Sequence, residues 1–256
     1  MNTILIVGDM FAAFANGCSS LTKEQFFQMS EEELSNVRRI IIGQGIRMPE
    51  LRFIYSFLAE KCLLSYIEIE EHLSLKISRR IVHKTYDKNV MITAPERLSE
   101  NSFSSYLVVE DGCAELSDHV TGLHMQGMLF IEAARQMFMA ISPNIGDRLG
   151  FENDKSQHAL KEIQVAYKKF LYPMPIEIVL NITEGKELRR LGIFTSEVNV
   201  QFKQFDEVGV EVTCKATTHD RLALTHLEEI GATRQLEKLL ANRFDAIESR
   251  FKVAAV

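Results

Sequence analysis

Short apolar runs alternate with polar, helix-like segments along the first 75 residues. Residues 4–7 are Ile-Leu-Ile-Val and end at a Gly-Asp pair, which predicts a short buried strand. Residues 39–43 predict a second strand, and the alternation over 63–69 predicts a third. Strands and helices in this order favour a small α/β domain with a parallel sheet over residues 1–75.

Capping signals mark the helices of this segment. Thr22 is followed by Gln25, and Ser30 by Glu33, with the spacing of a capping box in both cases. Pro49 suits the first turn of the next helix, because the backbone N–H that proline lacks has no partner there.

The pattern changes beyond a boundary that we place near residues 74–80. One long helix, at 125–141, precedes consecutive antiparallel strands. This order predicts an α+β fold over residues 80–220, in which a curved antiparallel sheet wraps around a long central helix. The strand-like segments are 90–93, 103–109, 161–170, 176–184, 194–205 and 208–217.

Two further elements are expected near the end of the chain. Asp206 and Glu207 predict a tight hairpin connection between the last two strands. Residues 231–251 predict an amphipathic C-terminal helix. Its apolar face consists of Leu236, Leu239, Leu240 and Phe244.

Composition and charge argue against several classes of protein. The 256 residues carry a net charge of −6 without long basic runs, so no nucleic-acid partner is expected. There is no stretch of 18 apolar residues and no signal-peptide pattern, so no membrane partner is expected. The cysteines are scattered, which predicts reduced thiols in a cytoplasmic protein and no metal site. They are Cys18, Cys62, Cys113 and Cys214.

Residues 118–136 concentrate the chemistry of the chain. A loop with His119 and His124 runs into an apolar helix that carries Glu132 and Arg135. An ionised carboxylate in such a helix is costly unless it has a partner or a task. Glu132 could act as a general base on an acyl α-carbon or a hydroxyl, or form a structural pair with Arg135. Arg135 could instead bind a phosphate.

The loop and the first helical turn supply the remaining candidates. His119 could polarise a thioester-linked acyl group or exchange a proton with it, or simply bond the backbone. Amides near Gly127 and Met128 could hold a thioester carbonyl oxygen, as an oxyanion hole does. The predicted substrate-binding residues are Gly127, Met128 and His124.

These residues resemble the signature "DH…HVPGM…EAARQ" of the A-factor biosynthesis hotdog (AfsA-like) family. Glu-Ala-Ala-Arg-Gln stands at 132–136, and Met-Gln at 125–126 replaces the usual Val-Pro. Val-His-Lys at 82–84 is similar to a short motif at the start of that domain. The resemblance covers roughly residues 80–218 and implies one hotdog domain, whereas residues 1–75 do not resemble the family.

The resemblance implies transfer of a β-ketoacyl chain from acyl-carrier protein or acyl-CoA to a hydroxylated, phosphorylated three-carbon acceptor. The product would be a γ-butyrolactone-type signal or a related secondary metabolite. Glu132 would be the base, Arg135 the anion contact and His119 the carbonyl or proton partner. The partners implied are the acyl carrier and the small-molecule acceptor, with no cofactor.

A more distant resemblance is to hotdog β-hydroxyacyl-carrier-protein dehydratases, which pair a loop His in a His-x-x-Gly context with a helix Glu. His119 and Gly122 match that loop, and Gly127 precedes Glu132 by the same five residues. In that family the His and the Glu meet across a subunit interface. A dehydratase, a thioesterase and a non-catalytic module that binds an acyl chain or a partner protein are the alternatives.

Two expectations concern assembly and the first domain. A sheet wrapped around one helix leaves an edge strand open and a core incomplete, and either a second sheet or the α/β unit could complete them; we predict a homodimer. Gly-Gln-Gly at 43–45 hints at a nucleotide loop, but Met48 stands where GxGxxG has its third glycine. Residues 1–75 are therefore expected to be a structural or docking unit.

Overall fold

The structure contains one parallel and one antiparallel sheet. It is a computed structural model and describes residues 3–18, 20–116, 122–149, 156–188 and 193–253. The parallel strands are β1 Thr3–Val7, β2 Leu21–Thr22, β3 Arg39–Ile42 and β4 Glu68–Glu70. They lie in the order β2-β1-β3-β4, which confirms the predicted parallel sheet.

Short helices connect these strands, and their ends follow the predicted signals. They are α1 Ala12–Gly17, α2 Lys23–Phe27, α3 Glu31–Ser35 and α4 Met48–Glu60. Both capping boxes are present: the hydroxyl of Thr22 accepts from the amide of Gln25, and that of Ser30 from the amide of Glu33. Pro49 lies in the first turn of α4. The buried side chains of α2, α3 and α4 form one core with β1 and β3.

The antiparallel sheet wraps around one long helix, α5 Gly127–Leu149. Its strands are β5 Glu96–Arg97, β6 Ser102–Tyr106, β7 Ser156–Tyr167, β8 Glu177–Leu188, β9 Ile193–Gln204 and β10 Glu207–Asp220. The order β5-β6-β8-β9-β10-β7 places β7 at an edge. Phe130 of α5 packs against Phe202 of β9, with 5.0 Å between ring centroids. This arrangement confirms the predicted α+β hotdog architecture.

The predicted strand at 90–93 is wrong, because this segment makes only isolated bridges to other residues. The amide of Met91 donates instead to Gln136 Oε1 on α5, at 2.8 Å. A helix side chain thus takes up a backbone group that a neighbouring strand would otherwise bind.

The hairpin between β9 and β10 turns one residue earlier than predicted. Its central residues are Phe205 and Asp206, with φ of 51° and 63°, and Glu207 already belongs to β10. Positive φ at both central positions matches the type I′ turns that the strand twist favours. A phenylalanine is an unusual residue there, and its identity gave no signal of the turn.

A long helix, α6 Arg221–Val253, follows β10 directly and starts at residue 221 rather than at the predicted 231. Leu236, Leu239 and Leu240, which were predicted to share an apolar face, are about half exposed. This part of α6 is therefore not packed into the core of the described residues.

Residues 43–45, Gly-Gln-Gly, join the parallel sheet to the hotdog domain. The amides of Gln44 and Gly45 donate to carbonyl oxygens of the hotdog domain, at Pro173 and Val109. The side chain of Gln44 is buried and makes three more hydrogen bonds to the hotdog backbone. These amides already have partners, so the segment links the parallel sheet to the hotdog domain instead of cradling a phosphate.

Candidate active site

α5 carries the acid and the base that the sequence singles out. Arg135 donates two hydrogen bonds to Glu132, from Nε to Oε2 at 2.8 Å and from Nη2 to Oε1 at 2.7 Å. Two further donors reach Oε1, namely Lys84 Nζ at 2.8 Å and Gln136 Nε2 at 3.0 Å. Oε1 thus has three donors, and Oε2 has one among the described residues.

These contacts set the charge of Glu132. Burial by itself raises the pKa of a carboxyl group, but the hydrogen bonds from Arg135, Lys84 and Gln136 outweigh it and lower the pKa to about 2. The hydrogen bond to Glu132 in turn raises the pKa of Arg135. At neutral pH Glu132 is therefore an ionised carboxylate and, while these donors are in place, a weak base.

Lys84 is a contact that the sequence analysis missed. It pairs with Glu115 at 2.9 Å as well as with Glu132. Burial lowers the pKa of Lys84, and hydrogen bonds to the two carboxylates more than compensate, so that the pKa is raised overall. With Arg135, the cluster has two cations and two anions. In the sequence, only the Val-His-Lys motif pointed to Lys84, and this motif does not indicate that Lys84 pairs with Glu132 on α5.

Gln136, the last residue of the helix motif, positions both Glu132 and a neighbouring loop. Its side chain is fully buried. Nε2 donates to the carbonyl oxygen of Asn89 at 2.9 Å and to Glu132, while Oε1 accepts from Met91. These hydrogen bonds to Asn89 and Met91 attach the loop that follows Lys84 to α5.

A mainly apolar cavity of about 220 Å³ lies beside this cluster, between α5 and the strands β7 and β10. Glu132, Arg135, His83 and His158 contribute polar groups to its lining. His83 has a φ of 55°, and backbone strain of this kind concentrates at functional sites. The apolar lining consists of Ile131, Phe138, Met139, Leu160, Ile163 and Ala216.

Two groups in this lining are uncharged at neutral pH. Burial raises the pKa of the Cys214 thiol to about 11, so Cys214 is a poor nucleophile. Burial, together with smaller contributions from nearby His83 and His219, lowers the pKa of His158 to about 4. Sequence reasoning singled out neither residue, because an isolated Cys or His on a strand carries no local signal of a site.

The predicted substrate-binding residues lie around the start of α5. His124 and Gly127 line a second cavity of about 300 Å³ together with Tyr167 and Phe170. Met128 is 57% exposed and lines neither cavity. The hydroxyl of Tyr167 donates to the carbonyl oxygen of Gly127 at 3.0 Å, and a Cβ at Gly127 would lie 2.9 Å from that hydroxyl. The glycine thus makes room for Tyr167.

His119, the third predicted catalytic residue, lies with Asp118 outside the described residues. In the parts of the chain that the structure describes, no group of three or more His, Cys, Asp or Glu side chains is placed to hold a metal ion. None of the described helices combines the length and the apolar character that a membrane crossing needs.

Comparisons with known proteins concern the hotdog domain. A family model for the A-factor biosynthesis hotdog domain (AfsA) matches residues 68–218. No curated protein matches the chain significantly.

Several solved structures are similar to part of the chain. A dehydratase heterocomplex from Xenorhabdus doucetiae has a TM-score of 0.45 and 16% identity, over 60% of this chain and 97% of that one. A conserved protein from Pseudomonas aeruginosa has a TM-score of 0.40 and 16% identity, over 56% and 99%. A thioesterase from Haemophilus influenzae has a TM-score of 0.37 and 8% identity, over 51% and 80%. Likenesses this weak assign no activity to this chain.

Proposed function

The chain belongs to the A-factor biosynthesis hotdog family, and from this we propose that it is an acyl-thioester enzyme. Its proposed reaction transfers a β-ketoacyl group from acyl-carrier protein or CoA to a small hydroxylated, phosphorylated acceptor, in the synthesis of a γ-butyrolactone-type signal or related metabolite. The observation that carries the proposal is the apolar cavity of about 220 Å³ with the Glu132–Arg135 pair in its lining. Such a cavity suits an acyl chain, and the charged pair suits the polar reacting groups.

Glu132 is proposed to bind the attacking hydroxyl of the acceptor through Oε2. Among the described residues that oxygen accepts one hydrogen bond, from Arg135 Nε, and a carboxylate oxygen can accept a second. A carboxylate with a pKa of about 2 does not deprotonate a resting hydroxyl. We therefore replace the general base of the sequence hypothesis with a group that orients the hydroxyl and takes its proton as attack makes it acidic.

Arg135 is proposed to contact the phosphate of the acceptor. Its side chain lines the cavity and is 34% exposed, so it is accessible from there. A planar guanidinium can bind Glu132 on one edge and offer N–H groups to a phosphate on another. His119 keeps its proposed role as carbonyl or proton partner. His124 and Gly127, which line the second cavity, remain proposed substrate contacts, whereas Met128 is no longer proposed because it lines neither cavity.

We further propose a homodimer that pairs at the edge of the sheet formed by β7. This strand bonds to β10 on one side and has no described strand on the other. The α/β domain bonds to the hotdog backbone through Gln44, at Leu107, Val109 and Met174, and none of these residues lies on β7. Leu160, Tyr167 and Phe170, on or just after β7, are 52%, 56% and 69% exposed. A second copy would cover both the open edge and these side chains.

The test is to incubate the purified protein with a panel of acyl thioesters and to identify the products by mass spectrometry. Saturated, β-keto and β-hydroxy chains are offered on CoA and on carrier protein, with and without a phosphorylated three-carbon hydroxyketone. Transfer predicts a free thiol and an acyl ester of the acceptor, formed only when the acceptor is present. Loss of water or release of a free acid would reassign the reaction to dehydration or hydrolysis. Binding without turnover would favour a non-catalytic module.

A further inference from the structure

His158 is an unusual residue for the inner wall of an apolar cavity. It lies on the edge strand β7, beside Leu160 and Ile163 in the lining. Its ring meets that of Phe138 on α5 edge-on, with centroids 5.5 Å apart and an interplanar angle of 85°. The imidazole is thus held between the sheet and the helix in one orientation.

Only one ring nitrogen of His158 forms a hydrogen bond with a described residue. Nδ1 lies 2.9 Å from the hydroxyl of Thr218, which is fully buried on the neighbouring strand β10. Nε2 has no hydrogen-bond partner among the described residues. A neutral imidazole carries one donor and one acceptor, so one polar function of the ring remains for a ligand in the cavity.

The character of this function limits the ligand. Because burial lowers the pKa of His158 to about 4, the ring is uncharged at neutral pH and offers no cation to a carboxylate or phosphate. It suits a neutral oxygen, such as a carbonyl or a hydroxyl. The cavity volume of about 220 Å³ corresponds to about seven non-hydrogen atoms, if each occupies roughly the 30 Å³ of a water molecule in the liquid.

We infer that His158 determines substrate specificity by hydrogen bonding, through Nε2, to a neutral oxygen on a medium-length acyl chain in this cavity. The inference rests on the proposed function for the acyl-thioester chemistry, but it concerns binding alone. A saturated chain would cover Nε2 without replacing its hydrogen bond to water, which costs binding free energy. Sites that bond a substrate oxygen discriminate strongly against analogues that lack it.

The experiment measures binding by calorimetry with non-reactive ketone analogues of octanoyl-CoA and β-oxo-octanoyl-CoA, in which a methylene separates the sulfur from the carbonyl. The wild type should bind the β-oxo analogue at least about 10-fold more tightly. His158→Leu should reduce this ratio to about twofold or less, whereas His158→Asn, which keeps a polar group, should retain part of it. Ile163→Val, in the same lining, should leave the ratio unchanged.

Equal affinity for the two analogues in the wild type, an unchanged ratio in His158→Leu, or no binding of either analogue would overturn the inference. Both His158 variants are compared with the wild type by melting temperature. If His158→Leu does not fold, the affinity ratio of His158→Asn alone tests the inference, and an unchanged ratio overturns it. A clear preference in binding without turnover of any thioester would leave the inference standing and contradict the proposed function instead.

Discussion

Lys84 Nζ and Glu132 Oε1 lie 2.8 Å apart and join two segments that are distant in sequence. Because Lys84 also pairs with Glu115, a single ammonium group connects its own loop, the loop of Glu115 and α5. Its side chain is 16% exposed, so these pairs are screened less by solvent and salt than surface ion pairs are.

Lys84→Met should lower the free energy of unfolding by roughly 2–4 kcal/mol, because two partly buried carboxylates lose a shared cation. Urea unfolding followed by circular dichroism measures this change. Lys88→Met is the matched control, since Lys88 is exposed and forms no ion pair with any described residue. It should stay within about 0.5 kcal/mol of the wild type. Equally small effects of both substitutions would contradict a stabilising role for the cluster.

Gly8→Ala should displace residues 43–45, which lie against Gly8 and bond to the hotdog domain. A Cβ at this position would overlap the backbone carbonyl of Gly45, which cannot move away as a flexible side chain could. The expected loss is roughly 3 kcal/mol or more of unfolding free energy. A Cβ at Gly17 meets nothing within 4 Å, so Gly17→Ala should range from no change to about 1 kcal/mol of stabilisation. Similar melting temperatures for the two variants would contradict the close contact between Gly8 and Gly45.

Mild acid should destabilise the protein through His158. Its pKa falls from the usual 6.5 to about 4 on folding, so the folded state binds the proton less readily than the unfolded state. The stability it contributes is complete above pH 6.5 and is lost as the pH falls toward 4. Between pH 7 and pH 4.5, the wild type should lose about 2 kcal/mol more than His158→Asn in urea unfolding. Parallel pH profiles would show that His158 is not buried in its neutral form.

The proposed dimer predicts a mass near twice 29.2 kDa by light scattering at micromolar concentration. Leu160→Lys places a charge on the open edge strand and should shift the protein toward monomer. Leu75→Lys alters a comparably exposed leucine away from β7 and should leave the dimer intact. A strictly monomeric wild type would exclude a site shared between subunits.

Most helices and strands of the fold could be predicted from short-range sequence patterns. Both capping boxes were predictable because Thr22 and Ser30 find their partners three residues away. The helix and strand periods likewise predicted α5 and the long strands. The segment at 90–93 makes only isolated bridges, and the amide of Met91 bonds the side chain of Gln136, which no local pattern reveals.

The candidate site was also predictable only in part, because several of its contacts join segments that are distant in sequence. Glu132 and Arg135 lie within one helical turn, so their pairing follows from helix geometry. The contacts of Lys84 with Glu132 and of His158 with Thr218 depend on how distant segments pack. The weak basicity of Glu132 comes from that packing, and a local sequence pattern could not show it.

Glu132→Gln tests the catalytic claim most directly, with turnover and melting temperature measured on the same preparation. The amide keeps the size of the carboxylate and one acceptor oxygen, but loses its charge and basicity. If Glu132 acts on the acceptor hydroxyl, acyl transfer should fall about 10²- to 10⁴-fold while the protein remains folded at the assay temperature. Arg135→Lys should mainly weaken affinity for the phosphorylated acceptor, because it keeps the charge without the planar fork. Normal turnover with a lowered melting temperature in Glu132→Gln would contradict the account and leave Glu132 with a structural role only.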